Sequence, residues 1–288
     1  MKKLSLVLFA ALPLSAFGHD VEINGKIAFD IQKVADGVYA AIVPQPAMPA
    51  VSNSAFIVLS DGVLVVDSHM TRDASRALLS EIQRITKKPV RYLVQTHHHG
   101  DHVGGNPEFP EAIDIFAHEN ARENLRKSNQ TGARLPSATL NGGLTFHRGR
   151  EVKIGYAGRG HTDGDLYVWL PKESVLIAGD LVFNGYIGFM RDGYASDWAD
   201  TLGKLIELKP QTVVPGHGKI ADVNAIKIFR TYIWDFIVAV KKYKDEGMSG
   251  SQTVANFKMP KSYESWGMQD KALKDNILRV YHQLPERN

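Results

Sequence analysis

A histidine-rich stretch constrains this chain more than any other feature. It reads Thr96-His97-His98-His99-Gly100-Asp101-His102 and follows an apolar run that ends at Val94. His97 and His99 are two residues apart, so an extended backbone projects both imidazoles from one side, about 6 to 7 Å apart at the backbone, and His98 from the other. One zinc ion can span that gap, because Zn–N bonds are about 2.0 to 2.1 Å long. After Gly100 the chain can turn Asp101 and His102 toward a second position.

The stretch resembles the His-x-His-x-Asp-His signature of the metallo-β-lactamase-fold superfamily. Further candidate ligands follow in that family's order: His161 in Gly160-His161-Thr162, Asp180 in Ala178-Gly179-Asp180, and His217 in Pro215-Gly216-His217-Gly218. The resemblance covers roughly residues 30 to 220. It implies that one metal ion is held by His97, His99 and His161, the other by Asp101, His102 and His217, and that Asp180 bridges them.

The competing interpretation is that these histidines cap helices or lie in the core. For one histidine alone that interpretation is as good as the metal one, but seven ligands in this order favour a metal centre. The remaining histidines lack the spacing, and we expect them to be structural or exposed: His69, His98, His118, His147 and His282. His69 follows Asp67 at a strand end and could also support a ligand from behind.

The N-terminus has the layout of a secretory signal. Lys2 and Lys3 precede an apolar run from Leu4 to Leu14, and Ala16-Phe17-Gly18 offers a small-x-small cleavage site. The run is too short to span a bilayer comfortably. We expect a signal at residues 1–18, a mature domain at 19–288, and a periplasmic or secreted location. The sequence has no later apolar stretch long enough for a membrane span.

Composition narrows the chemistry. The chain has no cysteine, which excludes disulfides, a thiol nucleophile and thiolate ligands, and leaves imidazole and carboxylate. The formal net charge is +3, two units of which come from Lys2 and Lys3, so the mature chain is near neutral. It has no dense Lys/Arg block, so we expect no nucleic-acid partner.

The hydrophobic pattern predicts mixed α and β structure. Strand pairs flank the turn signals Asp36-Gly37 and Asp61-Gly62. Thr71 is positioned to cap a helix, Val90 to Val94 forms the strand before the histidine stretch, and a helix covers about 119 to 127. We expect further strands at 113–117, 144–147, 151–154, 166–170 and 175–178, and long C-terminal helices from about 222. The family resemblance implies an α+β fold, an αββα four-layer sandwich.

Three segments have open interpretations. Residues Pro44 to Ala50 form either an apolar flap over the metals, with Met48 at its centre, or a plain connector. Residues Ser128 to Gly143 read as a loop. Phe183 to Met190, with Tyr186 and Phe189, either line a pocket for an apolar acyl group or pack in the core.

The ligand set predicts hydrolysis. Two zinc ions, with iron or manganese as alternatives, would hold a bridging hydroxide and polarise a carbonyl. Asp101 would orient the nucleophile and carry the proton to the leaving group. We therefore expect a small-molecule substrate with an ester, thioester, lactone or amide bond.

Other functions remain open. One alternative is β-lactam hydrolysis, although Asp180 stands where the best-known dizinc β-lactamases have cysteine, and Phe183 where many have lysine. Another is a non-catalytic metal-binding protein on the same scaffold, whose mark would be a missing ligand. His19, as a mature N-terminus, could chelate copper(II).

Overall fold

The computed structural model describes residues 29–43, 52–128 and 133–285. The signal at residues 1–18, His19, the flap residues 44–50 and the last three residues lie outside these ranges. The domain boundaries at 1–18 and 19–288 therefore stay predictions. Among the described helices, none combines the length and apolarity needed to cross a bilayer.

The first sheet has seven strands in chain order. They are β1 (Asp30–Ala35), β2 (Val38–Ile42), β3 (Ser54–Val58), β4 (Val63–Val66), β5 (Val90–Val94), β6 (Asp114–His118) and β7 (Ala138–Leu140). Neighbours are antiparallel from β1 to β4 and parallel from β4 to β7. Both predicted hairpins are present, and Gly37 has the positive φ of 67° that its turn position favours. Strand β7 falls within the segment that we predicted as a loop.

The second sheet has five strands in the order β12-β11-β10-β9-β8. They are β8 (Leu144–His147), β9 (Glu151–Tyr156), β10 (Leu166–Leu170), β11 (Val175–Phe183) and β12 (Thr212–His217). The pairing is antiparallel except between β11 and β12. Strand β11 continues five residues beyond the predicted end at Ala178, because a register shift at Gly179 lets the chain bend and resume pairing. Asp180 is therefore inside a strand, directly after an irregularity.

Within the described residues, seven α-helices accompany the sheets: α1 (Arg72–Ile85), α2 (Gly100–Val103), α3 (Glu119–Lys127), α4 (Ala195–Glu207), α5 (Val223–Asp245), α6 (Gly250–Asn256) and α7 (Gln269–Gln283). Thr71 caps α1 by accepting a hydrogen bond from the Ala74 amide at 3.1 Å, as the sequence predicts. Helix α3 also matches the predicted range of about 119 to 127, and α5 begins at Val223, next to the predicted start of the C-terminal helices at about 222. The sequence analysis did not anticipate α4 and α6.

Three apolar clusters show how these elements are layered. The first joins the facing sides of the two sheets, for example Ile57 and Val66 with Val168 and Ile177. The second joins the outer face of the first sheet to α1. The third joins the outer face of the second sheet to α4, α5 and α7. Alternate residues of each strand thus face different layers. The predicted αββα four-layer sandwich is confirmed.

Asn53 ties the two sheets together near the end of β12. Its side-chain amide donates to the carbonyl oxygens of Pro215 at 2.9 Å and Gly218 at 2.8 Å. Its side-chain oxygen accepts from the Val43 amide at 3.1 Å. The side chain is buried, so water cannot replace these three bonds.

We expect Asn53→Ala to lower the free energy of unfolding by about 3 kcal/mol, because it leaves three buried backbone groups without a partner. Denaturant unfolding followed by circular dichroism measures this change. The control is Asn141→Ala, since Asn141 is exposed and we expect a change within about 0.5 kcal/mol. Equal stability of the two variants would show that Asn53 does not hold the sheets together.

Candidate metal centre

Strand ends deliver the candidate ligands to one edge of the sandwich. His97, His99, Asp101 and His102 follow β5, His161 lies between β9 and β10, Asp180 lies in β11, and His217 ends β12. Gly179 has φ of 52°, and a Cβ there would lie 2.6 Å from Thr96. A glycine at this position therefore lets β11 approach the loop after β5, and this approach brings Asp180 to the histidines.

The first ligand group contains His97, His99, His161 and Asp180, whose ligand atoms lie within 4.8 Å of one another. His161 Nε2 is 2.8 Å from His99 Nδ1 and 3.4 Å from Asp180 Oδ2. His97 Nε2 is 3.8 Å from the same oxygen. This geometry places three imidazole nitrogens and one carboxylate oxygen around a single point.

The second ligand group contains Asp101, His102, His217 and again Asp180, also within 4.8 Å. Asp180 Oδ1 is 3.1 Å from His102 Nε2 and 3.4 Å from His217 Nε2. Asp101 Oδ2 is 3.1 Å from His217 Nε2 and 3.5 Å from His102 Nε2. The two oxygens of Asp180 thus face different groups. All seven residues that the sequence singled out lie in these two groups.

Each imidazole of the first group has its other nitrogen fixed by a partner. His97 Nδ1 is 3.0 Å from the Thr96 hydroxyl, His99 Nε2 is 2.9 Å from Asp192 Oδ2, and His161 Nδ1 is 2.8 Å from the Phe189 carbonyl oxygen. A ring nitrogen that donates its proton to such a partner leaves the opposite nitrogen free as a ligand. The partners therefore select the metal-binding tautomers.

In the second group, Asp67 supports His102 from behind. Asp67 Oδ2 accepts from His102 Nδ1 at 2.8 Å, and the same carboxylate accepts from the amide and hydroxyl of Thr96 at 2.7 and 2.8 Å. Asp67 has φ of 61°, a left-handed conformation that aspartate tolerates better than most residues. His69 Nδ1 instead donates to the Ser52 carbonyl oxygen at 2.8 Å, and the His69 ring stacks on Phe29. Its contacts are with the scaffold rather than with a ligand side chain.

Orphaned polar atoms test whether a metal ion fits. His97 Nε2, His102 Nε2 and Asp180 Oδ1 are buried and have no hydrogen-bond partner. Buried polar atoms without partners are costly, and all three point into the two groups. Imidazole and carboxylate donors in this number suit zinc or another borderline divalent ion. The residues therefore fit a pair of metal ions.

Electrostatics differ between the two groups. Burial holds the pKa of His97 well below its ordinary value and lowers the pKa of His161 to about 3. Burial also acts to lower the pKa of His217, but the Asp180 and Asp101 carboxylates outweigh it and raise that pKa to about 9. Without metal, His97 and His161 are thus neutral, whereas His217 holds a proton that a metal ion must displace.

The pKa of Asp180 is shifted in the opposite direction to that of His217. Burial acts to raise its pKa, but the imidazoles of His102 and His217 outweigh burial and hold the pKa well below the usual range. Asp180 is therefore ionised and available as a ligand.

Asp165 and Asp192 support the site, and the sequence analysis missed both. Asp165 accepts from the amide and hydroxyl of Thr162 at 2.8 and 2.6 Å, which closes the turn that carries His161. The spacing Thr162-x-x-Asp165 was a local signal for this turn. Asp192 is 93 residues from His99 in the sequence, and no local pattern connects them.

His98 belongs to neither ligand group. The ring centroid of His98 lies 6.5 Å from that of His97, whereas the ring centroid of His99 lies 4.7 Å from that of His97. Burial lowers the pKa of His98 to about 4. Together with His99 and Asp192 it forms a third cluster of possible ligand atoms. His118 caps α3 through its side chain, a structural role of the kind that we expected.

A cleft of about 390 Å³ opens beside the two groups. Three residues of the ligand groups line it, His99, Asp101 and Asp180, with the apolar side chains of Met70, Phe189 and Met268. The cations Arg191 and Lys271 also line it, as do Gly100, Asp192 and Asp275. The segment Phe183 to Met190 has both of the roles considered from the sequence, since one aromatic residue lines the cleft and another packs in the core. Phe189 lines the cleft, whereas Phe183 is buried and stacks on His217 at 5.2 Å.

We expect Asp67→Asn to weaken zinc binding at the second group by about 10- to 100-fold, because a supporting carboxylate fixes the orientation and basicity of its histidine. Asparagine keeps the left-handed backbone accessible, so the fold should persist. Competition titration with a chelating dye measures the affinity. The control is Asp61→Asn, since Asp61 lies after β3 and bonds to the Tyr92 hydroxyl, away from the ligands. Unchanged affinity in Asp67→Asn would remove the supporting role of Asp67.

Comparisons with known proteins agree with this architecture. The sequence profile of the metallo-beta-lactamase superfamily matches residues 47–217. A protein from Elizabethkingia meningoseptica named metallo-beta-lactamase type 2 is 28% identical over 239 residues, which cover 79% of this chain and 93% of that protein. A Bacillus cereus protein of the same name is 30% identical over 178 residues, which cover 59% of this chain and 68% of that protein.

Solved structures show the same fold. The metallo-beta-lactamase from Pontibacter korlensis superimposes with a TM-score of 0.65 at 23% identity, over 72% of this chain and 99% of that chain. The DIM-1 metallo-beta-lactamase gives a TM-score of 0.62 at 22% identity, over 72% of this chain and 97% of that chain. The profile match and the shared fold show that this chain belongs to the metallo-β-lactamase superfamily and is a metal-dependent hydrolase.

Proposed function

We propose that this chain is a dinuclear zinc hydrolase, exported to the periplasm or secreted, that cleaves an ester, thioester, lactone or amide bond in a small molecule. One observation carries the proposal. Two ligand groups share Asp180 and lie at the wall of an open cleft. A non-catalytic metal protein would need no such access, and no ligand of the expected seven is displaced from the groups.

In the proposed centre, His97, His99 and His161 would hold one ion, Asp101, His102 and His217 would hold the other, and Asp180, which both groups share, would contribute a ligand to each. Zinc pairs in such sites activate water and polarise a carbonyl group. Iron or manganese also suits this donor set.

Asp101 has the position of a proton carrier. Its side chain is 21% exposed, against 3% for Asp180, and it lines the cleft. The Ser52 hydroxyl donates to the Asp101 carbonyl at 2.6 Å and holds its backbone in place. The carboxylate can therefore orient a water molecule and pass a proton to a leaving group in the cleft, as general acid–base catalysis requires.

The cleft indicates what else the substrate carries. Met70, Phe189 and Met268 offer apolar contact, while Arg191 and Lys271 offer positive charge. In the described part of the chain neither cation has an ion pair within 4.0 Å, so both charges are available. We infer that the substrate combines an apolar group with an anionic one, such as a carboxylate.

β-Lactams are a specific candidate, because they combine a scissile amide with a carboxylate. The curated relatives named metallo-beta-lactamase type 2 support this candidate. The position of Phe183 weakens it, since this side chain is buried and offers no cation at the end of β11. Recognition of a β-lactam carboxylate would then depend on Arg191 and Lys271.

We expect the zinc-loaded protein to hydrolyse a chromogenic β-lactam, an aryl ester or a thioester, and a chelator to abolish turnover. A kcat/KM of about 10⁴ M⁻¹s⁻¹ or above on the β-lactam identifies it as a physiological lactamase, and faster ester or thioester cleavage identifies a metabolic hydrolase.

Asp180→Asn should lower kcat at least about 100-fold, because it removes the shared anionic ligand. Asp200→Asn, an exposed change on α4, is the control. Full turnover by metal-free protein would contradict the proposal.

We expect Lys271→Ala to raise KM for a carboxylate-bearing substrate about fivefold, because an exposed ion pair contributes up to about 1 kcal/mol. KM for a neutral aryl ester should not change, and added salt should reduce the difference. Lys274→Ala is the matched control: Lys274 is an exposed lysine on the same helix and does not line the cleft. Equal effects on charged and neutral substrates would exclude anion recognition by Lys271.

A further inference from the structure

Helix α7 carries a buried asparagine on its apolar face. Asn276 is completely buried between Ala272, Ile277 and Val280, which are buried too. A buried amide is costly unless its donors and acceptor are used. Asn276 uses them on the loop between β11 and α4, residues 184–194.

Both bonds of Asn276 flank Phe189. The Asn276 oxygen accepts from the Met190 amide at 2.7 Å, and its amide nitrogen donates to the Gly188 carbonyl at 2.9 Å. The Phe189 carbonyl and the Met190 N–H belong to one planar peptide group. Through that carbonyl the same peptide accepts from His161 Nδ1 at 2.8 Å. One peptide group thus connects Asn276 to a candidate metal ligand.

This chain of hydrogen bonds has a direction. The peptide N–H donates to Asn276, which polarises the peptide and makes the Phe189 carbonyl a better acceptor. A stronger acceptor holds the His161 proton on Nδ1 and leaves Nε2 free. Rotation of the peptide plane would move both ends together, so fixing the Met190 N–H also fixes the direction of the carbonyl.

The same helix also secures the residue next to Asp192. Arg279 Nε donates to the Gly193 carbonyl at 2.9 Å, and Gln283 donates to the same oxygen at 2.6 Å. Asp192 in turn is 2.9 Å from His99 Nε2. Helix α7 therefore supports the loop on both sides of the segment that contacts two candidate ligands of the first group.

We propose that Asn276 is a positioning residue for the first metal ion: it fixes the Phe189 peptide and, through it, the tautomer and direction of His161. This inference rests on the proposed metal centre. It assigns part of the site to a helix outside residues 47–217, the range of the family match. Among the described hydrogen bonds, the second group has no such connection to α7; its His102 is supported instead by Asp67, which follows β4.

The test compares zinc affinities of the metal-free protein for its two sites. Asn276→Leu has a similar shape and removes both bonds to the loop. We expect it to weaken the first site about 10- to 100-fold and to leave the second unchanged. Titration with Zn²⁺ against a chelating dye gives the two affinities, and long-range ¹H–¹⁵N spectra report which nitrogen of His161 carries the proton.

Two further variants distinguish a positioning effect on His161 from a general loss of stability. Ile277→Ala creates a cavity beside Asn276 without touching the loop bonds, so we expect a lower Tm with unchanged zinc affinities. Asn276→Asp keeps an acceptor for the Met190 amide and should retain most of the affinity of the first site. This variant also provides the comparison if Asn276→Leu does not fold.

Three results would overturn the inference: unchanged zinc affinity in Asn276→Leu, equal losses in Asn276→Leu and Ile277→Ala, or an Asn276→Asp variant that loses the first site completely. Failure of the wild-type protein to bind zinc at His97, His99 and His161 would overturn the proposed metal centre as well. The two failures are therefore distinguishable.

Discussion

The buried carboxylate of Asp180 is the interaction on which the site depends. An ionised carboxylate removed from water is destabilising unless positive charge or hydrogen-bond donors surround it. Imidazole nitrogens of four histidines lie 3.1 to 3.8 Å from its oxygens. A divalent ion on each side would complete that compensation, because each ion supplies the charge that neutral imidazoles lack. The fold delivers this carboxylate by a bend at Gly179, and the two sheets hold the histidines around it.

Support for the centre comes from different layers of the sandwich. Asp67 follows a strand of the first sheet and holds His102, whereas Phe189 and Asp192 belong to a loop of the second sheet and contact His161 and His99. Asp67 reaches the first group as well, because it holds the Thr96 hydroxyl that lies 3.0 Å from His97 Nδ1. Both sheets therefore support the first group, and the two groups are connected through Asp67 and through Asp180.

Features with a local cause could be predicted from the sequence. The hairpins at Asp36-Gly37 and Asp61-Gly62 and the cap at Thr71 each depend on a few neighbouring residues. The ligands could be found because their spacing and order resemble a family. Helix α4 was missed because Tyr194 at its start makes no side-chain capping bond, so no start signal was visible. Helix α6 begins at a glycine, although its capping box from Ser249 to Gln252 was a usable signal.

Contacts between distant segments could not be predicted in the same way. Strand β7 has three residues and exists because β6 offers it a parallel edge. Asp192 reaches His99, and Asn276 reaches the Phe189 peptide, only after both sheets and α7 have packed. The sequence left Phe183 open between a pocket role and a packing role, and the pairing of β11 with β12 places it on His217.

The position of α7 along the chain has a consequence for the order of assembly. His217, the last candidate ligand, precedes α5, α6 and α7, so synthesis supplies every ligand before it supplies the helix that holds the Phe189 peptide. Until α7 docks, His161 lacks its fixed acceptor and is free to change tautomer. If Asn276 positions the Phe189 peptide as proposed, a metal ion held by His161 would be tightly retained only after the C-terminal helix has reached its place.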